Sequence, residues 1–266
     1  MKTLLASAIL LSTTSAFAHD TNFSSDSCDV DLNAGLRINK NLIEFTKNDN
    51  ALYQILNNET LVINGEEITL DASQQSLVTE YSTSIRSILP EVKAISVDAI
   101  ELAVNGVNLA FDELLGEGND LGEDLTTQLY GIRDEVEQRF DSEQEFYIDE
   151  HGELSEDFLG AEFEERIESI VETTVKNSLG TLLIAVGQEM LFSGGDMGTF
   201  ETRMENFGDR IENEMESRGQ AIEKRGEALC LSVYKIDQLE GQLQEEIDGL
   251  ADFDVITATV NGNNKI

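Results

Sequence analysis

Residues 61–75 read LVINGEEITLDASQQ, and this stretch contains the transition that organises the whole chain. Asn64-Gly65 tolerates the positive φ angles of a two-residue type I′ turn, so a β-hairpin is predicted, with residues 68–70 as the returning strand. At Asp71 the apolar period changes from two to about 3.6, and Gln74 three residues later completes a capping-box variant. The stretch therefore predicts a sheet that ends where a helix begins.

Upstream of this transition, residues 29–70 consist of short apolar or alternating runs separated by Asn, Asp and Gly. Such runs are typical of strands joined by tight turns. Besides the returning strand, the predicted strands cover residues 30–33, 36–38, 42–45, 52–55 and 61–63. They predict a small antiparallel β-meander, which we expect to be the only sizeable sheet.

Downstream of Asp71, apolar residues recur every three or four positions, as in amphipathic helices. Pro90 has no amide hydrogen, so it is expected to break or kink the first run, giving helices near 72–88 and 91–115. Each run is apolar on one face only, so the helices must pack on one another or on the sheet. Further helical runs span 121–136, 167–190 and 211–250, with a loop at 193–196.

These patterns together predict an α+β protein with a small N-terminal antiparallel β-meander followed by a long, mainly α-helical assembly. The meander occupies residues 19–71 and the helical region residues 72–252. We expect the tail over residues 253–266 to be frayed.

The first 18 residues have the pattern of a secretory signal peptide. Lys2 gives a positive start, residues 4–11 are apolar, and Ala16-Phe17-Ala18 fits a signal peptidase site. We expect cleavage after Ala18 and a soluble exported protein that begins at His19. The apolar run is shorter than the roughly 20 residues of a spanning helix, and no later segment of that length lacks charges. No transmembrane segment is therefore expected.

The chain is strongly acidic, with 53 Asp and Glu against 17 Lys and Arg and a formal net charge of −36 at pH 7. This charge repels phosphate backbones and anionic lipid surfaces, which disfavours binding to nucleic acid. The charge is compatible with binding to basic partners or to divalent cations. The simplest interpretation of the acidity is solubility alone.

Much of the negative charge lies in residues 112–172, which contain 22 acidic residues and three arginines. Clustered carboxylates attract hard cations such as Ca²⁺. Asp141, Glu143 and Glu145 begin like an EF-hand loop, but Phe146 stands where that loop needs glycine. We expect weak divalent-cation association here rather than a dedicated site. The arginines are Arg133, Arg139 and Arg166.

Cys28 and Cys230 are the only cysteines. In an oxidising compartment, two cysteines without redox or metal spacing most simply form one disulfide. It would close a loop of 202 residues, for which chain entropy gives an upper figure of about 5 kcal/mol. Two free thiols are the alternative.

Three segments carry a resemblance to a known family: residues 61–90, Cys28-Asp29-Val30-Asp31, and Leu229-Cys230 ahead of Asp237, Leu239 and Glu240. In the first, the matching positions after Gln75 are Tyr81, Ile85-Arg86 and Leu89-Pro90. The chain resembles the YggN family of uncharacterised exported gamma-proteobacterial proteins, a domain of unknown function. The resemblance implies a periplasmic location and supports a Cys28–Cys230 pair. It supplies no reaction, cofactor or catalytic residue.

The sequence contains few side chains or motifs of the kinds used in catalysis or metal binding. His19 and His151 are the only histidines, which argues against histidine-rich metal sites. A copper-binding histidine brace at His19 needs a second histidine, and His151 is the single candidate for it. No G-x-S-x-G, P-loop or G-x-G-x-x-G motif occurs. Carboxylates are so numerous that sequence alone selects no catalytic pair. We therefore predict no catalytic residue, no cofactor and no metal ligand.

The sequence favours a non-catalytic binding or scaffolding protein of the cell envelope, with an envelope protein as its partner. A carboxylate-dependent hydrolase is the alternative, and weak divalent-cation buffering by the acidic middle is a second alternative. A closed pocket with two buried, pKa-perturbed carboxylates would favour the hydrolase, whereas long exposed helices would favour binding.

Overall fold

The computed structural model describes residues 22–25, 28–48, 50–115, 120–141, 145–150, 154, 158, 163–192 and 198–260. Its long helices are α1 (Ala72–Leu115), α2 (Asp120–Asp141), α3 (Phe163–Phe192) and α4 (Gly198–Glu246). The strands are β1 (Asn22–Ser25), β2 (Cys28–Leu32), β3 (Gly35–Ile38), β4 (Leu42–Lys47), β5 (Asn50–Leu56), β6 (Thr60–Ile63), β7 (Glu66–Glu67), β8 (Phe146–Ile148) and β9 (Ile256–Val260). The predicted α+β class, with a meander before long helices, is confirmed.

The predicted hairpin and helix cap are both present. Asn64 and Gly65 adopt φ angles of 52° and 81°, as a type I′ turn requires. The Asp71 carboxylate accepts the backbone N–H groups of Ser73 and Gln74 at 2.8 and 3.0 Å, and Gln74 accepts the Asp71 N–H at 3.0 Å. This reciprocal box satisfies backbone donors at the start of α1. The predicted returning strand at residues 68–70 is wrong, because the chain pairs back immediately after the turn and the returning strand is Glu66–Glu67, β7.

The sheets differ from the prediction in three respects. Strands β3 to β7 form the meander, but β8 extends it at its other edge, in the order β7-β6-β5-β4-β3-β8. The prediction of a single sizeable sheet is wrong, since β2 lies between β1 and β9 in a second, three-stranded sheet. The expectation of a frayed tail is wrong for Ile256–Val260, which forms β9; Ile256 and Ala258 are 6% and 4% exposed. These two residues pack inward, so the described part of the tail, up to residue 260, belongs to the fold.

The predicted break at Pro90 is also wrong, because α1 continues through it over 44 residues. Proline removes one helical hydrogen bond. The segments on both sides of Pro90 belong to a helix that packs along α4, and this tertiary contact outweighs the local preference. The remaining predicted helices are confirmed as α2, α3 and α4, although α4 ends at Glu246 and is followed by a 3₁₀ turn over Asp248–Leu250. The predicted loop at 193–196 lies outside the described residues.

We call the two sheets, residues 72–90 of α1 and residues 229–246 of α4 the head. Its core is continuous and contains twenty buried side chains, most of which come from the meander, α1, α4 and the segment from residue 247 into β9. Ile43, Phe45, Ile55 and Leu61 from the meander are all 0% exposed. Arg86 of α1 donates hydrogen bonds to the Asn58 side chain and to the Asn39 carbonyl, so the helix is attached to the turns of the meander.

We call residues 91–115 of α1, helices α2 and α3, and residues 198–228 of α4 the arm. Helix α1 packs against both α2 and α4, whereas within the described residues α2 and α4 have almost no contact with each other. Two ion pairs, Arg225–Asp98 at 2.5 Å and Arg210–Glu113 at 3.0 Å, join α1 and α4 in an antiparallel register. The arm is therefore an open layer of helices rather than a closed bundle.

Helix α1 contains one stretch, within Ala72–Glu113, that is long and apolar enough by composition to cross a membrane. This length and composition are a weak indication of a membrane span, because core helices of other proteins share them. Only 6% of the stretch is buried, which fits its place in the open arm. The absence of a membrane span stays a prediction. The predicted signal peptide lies outside the described residues.

Candidate functional site

The most unusual group in the head is the carboxylate of Glu240, which is 2% exposed on helix α4. Its oxygens accept the backbone N–H groups of Val255 and Ile256 at 3.0 and 2.9 Å. The Tyr53 hydroxyl donates to the same carboxylate at 3.5 Å and lies 3.0 Å from the Tyr81 hydroxyl. A buried polar network therefore joins β5, α1, α4 and the segment that leads into β9.

Two further carboxylates lie beside Glu240. One oxygen from each of Asp237, Glu240 and Asp254 falls within 4.8 Å of the others, close enough to hold a metal ion. Asp237 is one turn before Glu240 on α4 and accepts a backbone hydrogen bond from Ala258 in β9. Gln244, one turn after Glu240, donates to the Phe253 carbonyl at 2.7 Å. One face of α4 thus binds the backbone of residues 253–258 at several points.

Burial raises the pKa of Glu240 to about 7, against an ordinary value of 4.5. Its two backbone hydrogen bonds lower the pKa, and the charges of Asp254 and Asp237 raise it further. Burial likewise raises the pKa of Asp237. Burial also raises the pKa values of Tyr53 and Tyr81 well above 10, so both phenols stay neutral. The proton on Glu240 is therefore exchangeable near neutral pH, whereas the tyrosines are fixed hydrogen-bonding groups.

The geometry of this cluster indicates what it can do. A general acid or metal ligand needs an oxygen that can reach a substrate or an ion. Both oxygens of Glu240 already accept backbone donors, and Asp237 also accepts one. A cation there would have to compete with these hydrogen bonds. The arrangement is best suited to fixing the strand β9 against α4.

The predicted disulfide between Cys28 and Cys230 is confirmed. Their Cα atoms are 6.4 Å apart, within the range that a disulfide spans, and both residues are 2% exposed. The bridge joins β2 to α4 close to the Glu240 cluster in sequence. Because the sulfurs are shielded from solvent, the bridge is structural rather than a redox-reactive pair.

The arm carries the second candidate site, an exposed apolar surface. Val171 and Val175 on α3 are 55% and 52% exposed, and Ile184 on the same helix is 62% exposed. The arm core beneath it is small, with four buried residues: Leu125, Ile132, Val136 and Ile170. Half-buried apolar residues of α1, α2 and α3 complete it. Exposed apolar side chains over a thin core are typical of surfaces that meet another molecule.

The residues singled out from the sequence fall in different places. Phe146, which argues against an EF-hand, lies in β8 and is 7% exposed. His19 and His151 lie outside the described residues. Sequence reasoning missed the role of Glu240, although a signal exists, since it lies between Ile236 and Leu243 on the apolar face of α4. An acidic residue on a core-facing stripe indicates a buried polar interaction.

The fold and the two candidate sites define a class: an α+β protein whose disulfide-linked head carries an open helical arm. The chain belongs to the family described as "Protein of unknown function (DUF2884)", whose family model matches residues 28–256. No curated protein and no solved structure matches the chain significantly.

Proposed function

We propose that this chain is an exported, non-catalytic binding or scaffolding protein of the cell envelope, of the YggN type from gamma-proteobacteria. The export part is supported by the N-terminal signal pattern and by a disulfide, which persists in oxidising compartments such as the periplasm. The family match is consistent with this assignment and supplies no activity.

The single observation that carries the binding role is the open arm. Helices α2 and α4 flank α1 without closing over it, so apolar side chains of α1 remain half-exposed among the described residues. A soluble domain normally buries such a stripe completely. A further helix from a partner would complete the layer, as in helix-in-groove recognition.

The size of the apolar contribution limits the kind of partner. Covering a half-exposed valine recovers about 1 kcal/mol, so Val171 and Val175 together recover about 2 kcal/mol. Association costs about 4–15 kcal/mol in lost translational and rotational freedom. A partner must therefore also use the charged surface of the arm or a larger part of the open layer.

The test is site-specific crosslinking in periplasmic extract. A photo-reactive residue is placed at Tyr130 or Val175 in the arm, and at Glu59 or Glu66 in the head as controls; all four are exposed in the structure. We expect a discrete crosslinked species from the arm positions and none from the head positions. Crosslinking from the head alone, or none from either region, would contradict the proposed function.

A carboxylate-dependent hydrolase is the second candidate, and its specific support is the Asp237–Glu240 pair with raised pKa values. The hydrogen bonds that both groups accept from β9 and its lead-in segment favour the structural role instead. A hydrolase screen with the D237N and E240Q variants separates the two. Turnover that either substitution removes without unfolding the protein would establish the hydrolase.

A further inference from the structure

The exposed valines of α3 form a continuous patch. Val171 and Val175 are one helical turn apart, and at 100° per residue their side chains lie on the same face of α3. Ile184 lies nine positions after Val175, which places Ile184 on the opposite side of the helix. Ile170, which is 9% exposed, packs in the arm core with residues of α2 and so attaches α3 to the rest of the arm. The valine patch therefore faces solvent on an anchored helix.

Acidic side chains border the valine patch. Glu168 and Glu172 each lie three residues before one of the valines, and both are exposed. Glu172 pairs with Lys176 at 2.5 Å on the same helix, whereas Glu168 has no ion-pair partner among the described residues. In the sequence, residues 112–172, which lead up to and include Val171, have 22 acidic residues against three arginines. An incoming partner meets an apolar centre with a negative rim.

The charge selects among the possible occupants. A second copy of this chain would bring the same negative rim to the interface, and an anionic lipid surface would also be repelled. A segment rich in Lys and Arg would be attracted, and an amphipathic helix presents apolar residues at the i, i+4 spacing of the two valines. We propose that the Val171–Val175 face of α3 binds a cationic amphipathic helix of a partner protein. This inference rests on the proposed function.

The probe is a labelled synthetic helix of about 18 residues with leucines on one face and lysines on the other. It is titrated by fluorescence anisotropy against the full disulfide-bonded chain. The control peptide has the same composition in scrambled order, so that it keeps its charge and loses its apolar face. We expect the helix to bind more tightly than the scrambled peptide, and its affinity to fall as salt rises.

Two protein variants locate the binding face. V171S/V175S should lose about tenfold or more in affinity at an unchanged melting temperature, whereas I184S, which alters an exposed residue on the opposite side, should bind like the wild type. Equal loss in both variants would overturn the proposal, as would equal binding of the scrambled peptide. Dimers in sedimentation that V171S/V175S abolishes would assign the face to a second copy and also overturn it.

The peptide titration tests the further inference and the crosslinking tests the proposed function, so either proposal can be wrong without the other. If arm crosslinks form while the peptide ignores the valines, the inference is wrong and the binding function stands. If the peptide binds through the valines while extract yields no arm crosslink, the face has the proposed chemistry and the envelope role is wrong.

Discussion

Helix α4 passes through both the head and the arm, and its two parts differ sharply. In the head, Ile236 and Leu243 are each 1% exposed. In the arm, no residue of α4 from 204 to 228 is buried, although Ile211, Met215 and Ile222 follow the same apolar spacing. One continuous helix with one kind of pattern thus has two environments. The pattern determines which face points inward, and the number of layers packed against that face determines how much of it is buried.

The comparison also predicts unequal stability. The head has a continuous core, a disulfide and a buried hydrogen-bonding network, whereas the arm has few buried contacts and several exposed ion pairs. Exposed ion pairs contribute little, about 0–1 kcal/mol each. We expect the arm to open locally at a lower free energy than the head.

The largest effect should come from removing the disulfide. The C28S/C230S variant loses a link that closes 202 residues, and its free energy of unfolding should fall by up to about 5 kcal/mol. Urea denaturation of the two proteins measures the difference. Hydrogen exchange should show that protection falls mainly in the head. A variant with unchanged stability would mean that other contacts already hold β2 against α4.

A matched pair on one helix tests the core directly. I236A creates a cavity in the head and should cost about 2–5 kcal/mol, whereas I222A in the arm should cost about 1 kcal/mol or less. The same atoms are removed in both, so the difference reports the environment alone. Similar losses in denaturation would show that the arm is as tightly packed as the head, and would break the comparison.

Glu240 should make the stability of the head depend on pH. Burial raises its pKa from 4.5 to about 7, so the folded state binds the proton more tightly than the unfolded state. The resulting stability is fully present below about pH 4.5 and is lost as the pH rises through about 7, with a total of about 3 kcal/mol. Denaturation at about pH 5 and about pH 8 measures this loss.

The E240Q variant isolates this contribution. Glutamine does not titrate, so the variant should lose most of the pH slope, whereas E245Q, at an exposed position on the same helix, should keep it. Glutamine also lacks one of the two acceptor oxygens, so E240Q should be less stable than the wild type near pH 5. Identical slopes in all three proteins would show that Glu240 does not titrate in this range.

The smallest effect should be that of salt. A net charge of −36 repels itself, and raising salt from about 0.01 M to about 1 M shortens the screening length from about 30 Å to about 3 Å. Stability should rise gradually by about 1 kcal/mol, and both monovalent and divalent salts should act. The melting temperature, recorded as a function of salt concentration, measures this rise in stability. A saturable response to micromolar calcium alone would instead reveal a dedicated site.

Local features of this fold were predictable from sequence, and distant ones were not. The Asn64-Gly65 turn and the Asp71 cap depend on neighbouring residues, and both are confirmed. Strand β9 was missed because its pairing depends on β2, with Cys28 opposite Val260 across almost the whole chain. Pro90 was misjudged because the packing of α1 on α4 overrides the local preference.

The candidate sites follow the same rule. The cysteine pair was predictable because only two cysteines exist, so no choice of partner arises. The Glu240 network was not predictable in full, since Tyr53, Tyr81 and Val255 come from three separate segments. Its one local signal is an acidic residue on an apolar helical face. The valine patch was visible as part of the apolar stripe over 167–190, but only the fold shows that Val171 and Val175 are left exposed.

The position of β2 between β1 and β9 has a consequence for how the molecule is made. Strand β2, near the start of the chain, pairs with β9, near its end, so the three-stranded sheet cannot form until residue 260 has been synthesised. Contacts of such large sequence separation raise the contact order and slow folding. The meander can assemble early, but closure of the head waits for the carboxyl-terminal end. Nascent chains should therefore lack a closed head until synthesis is nearly complete, which would suit the export proposed above.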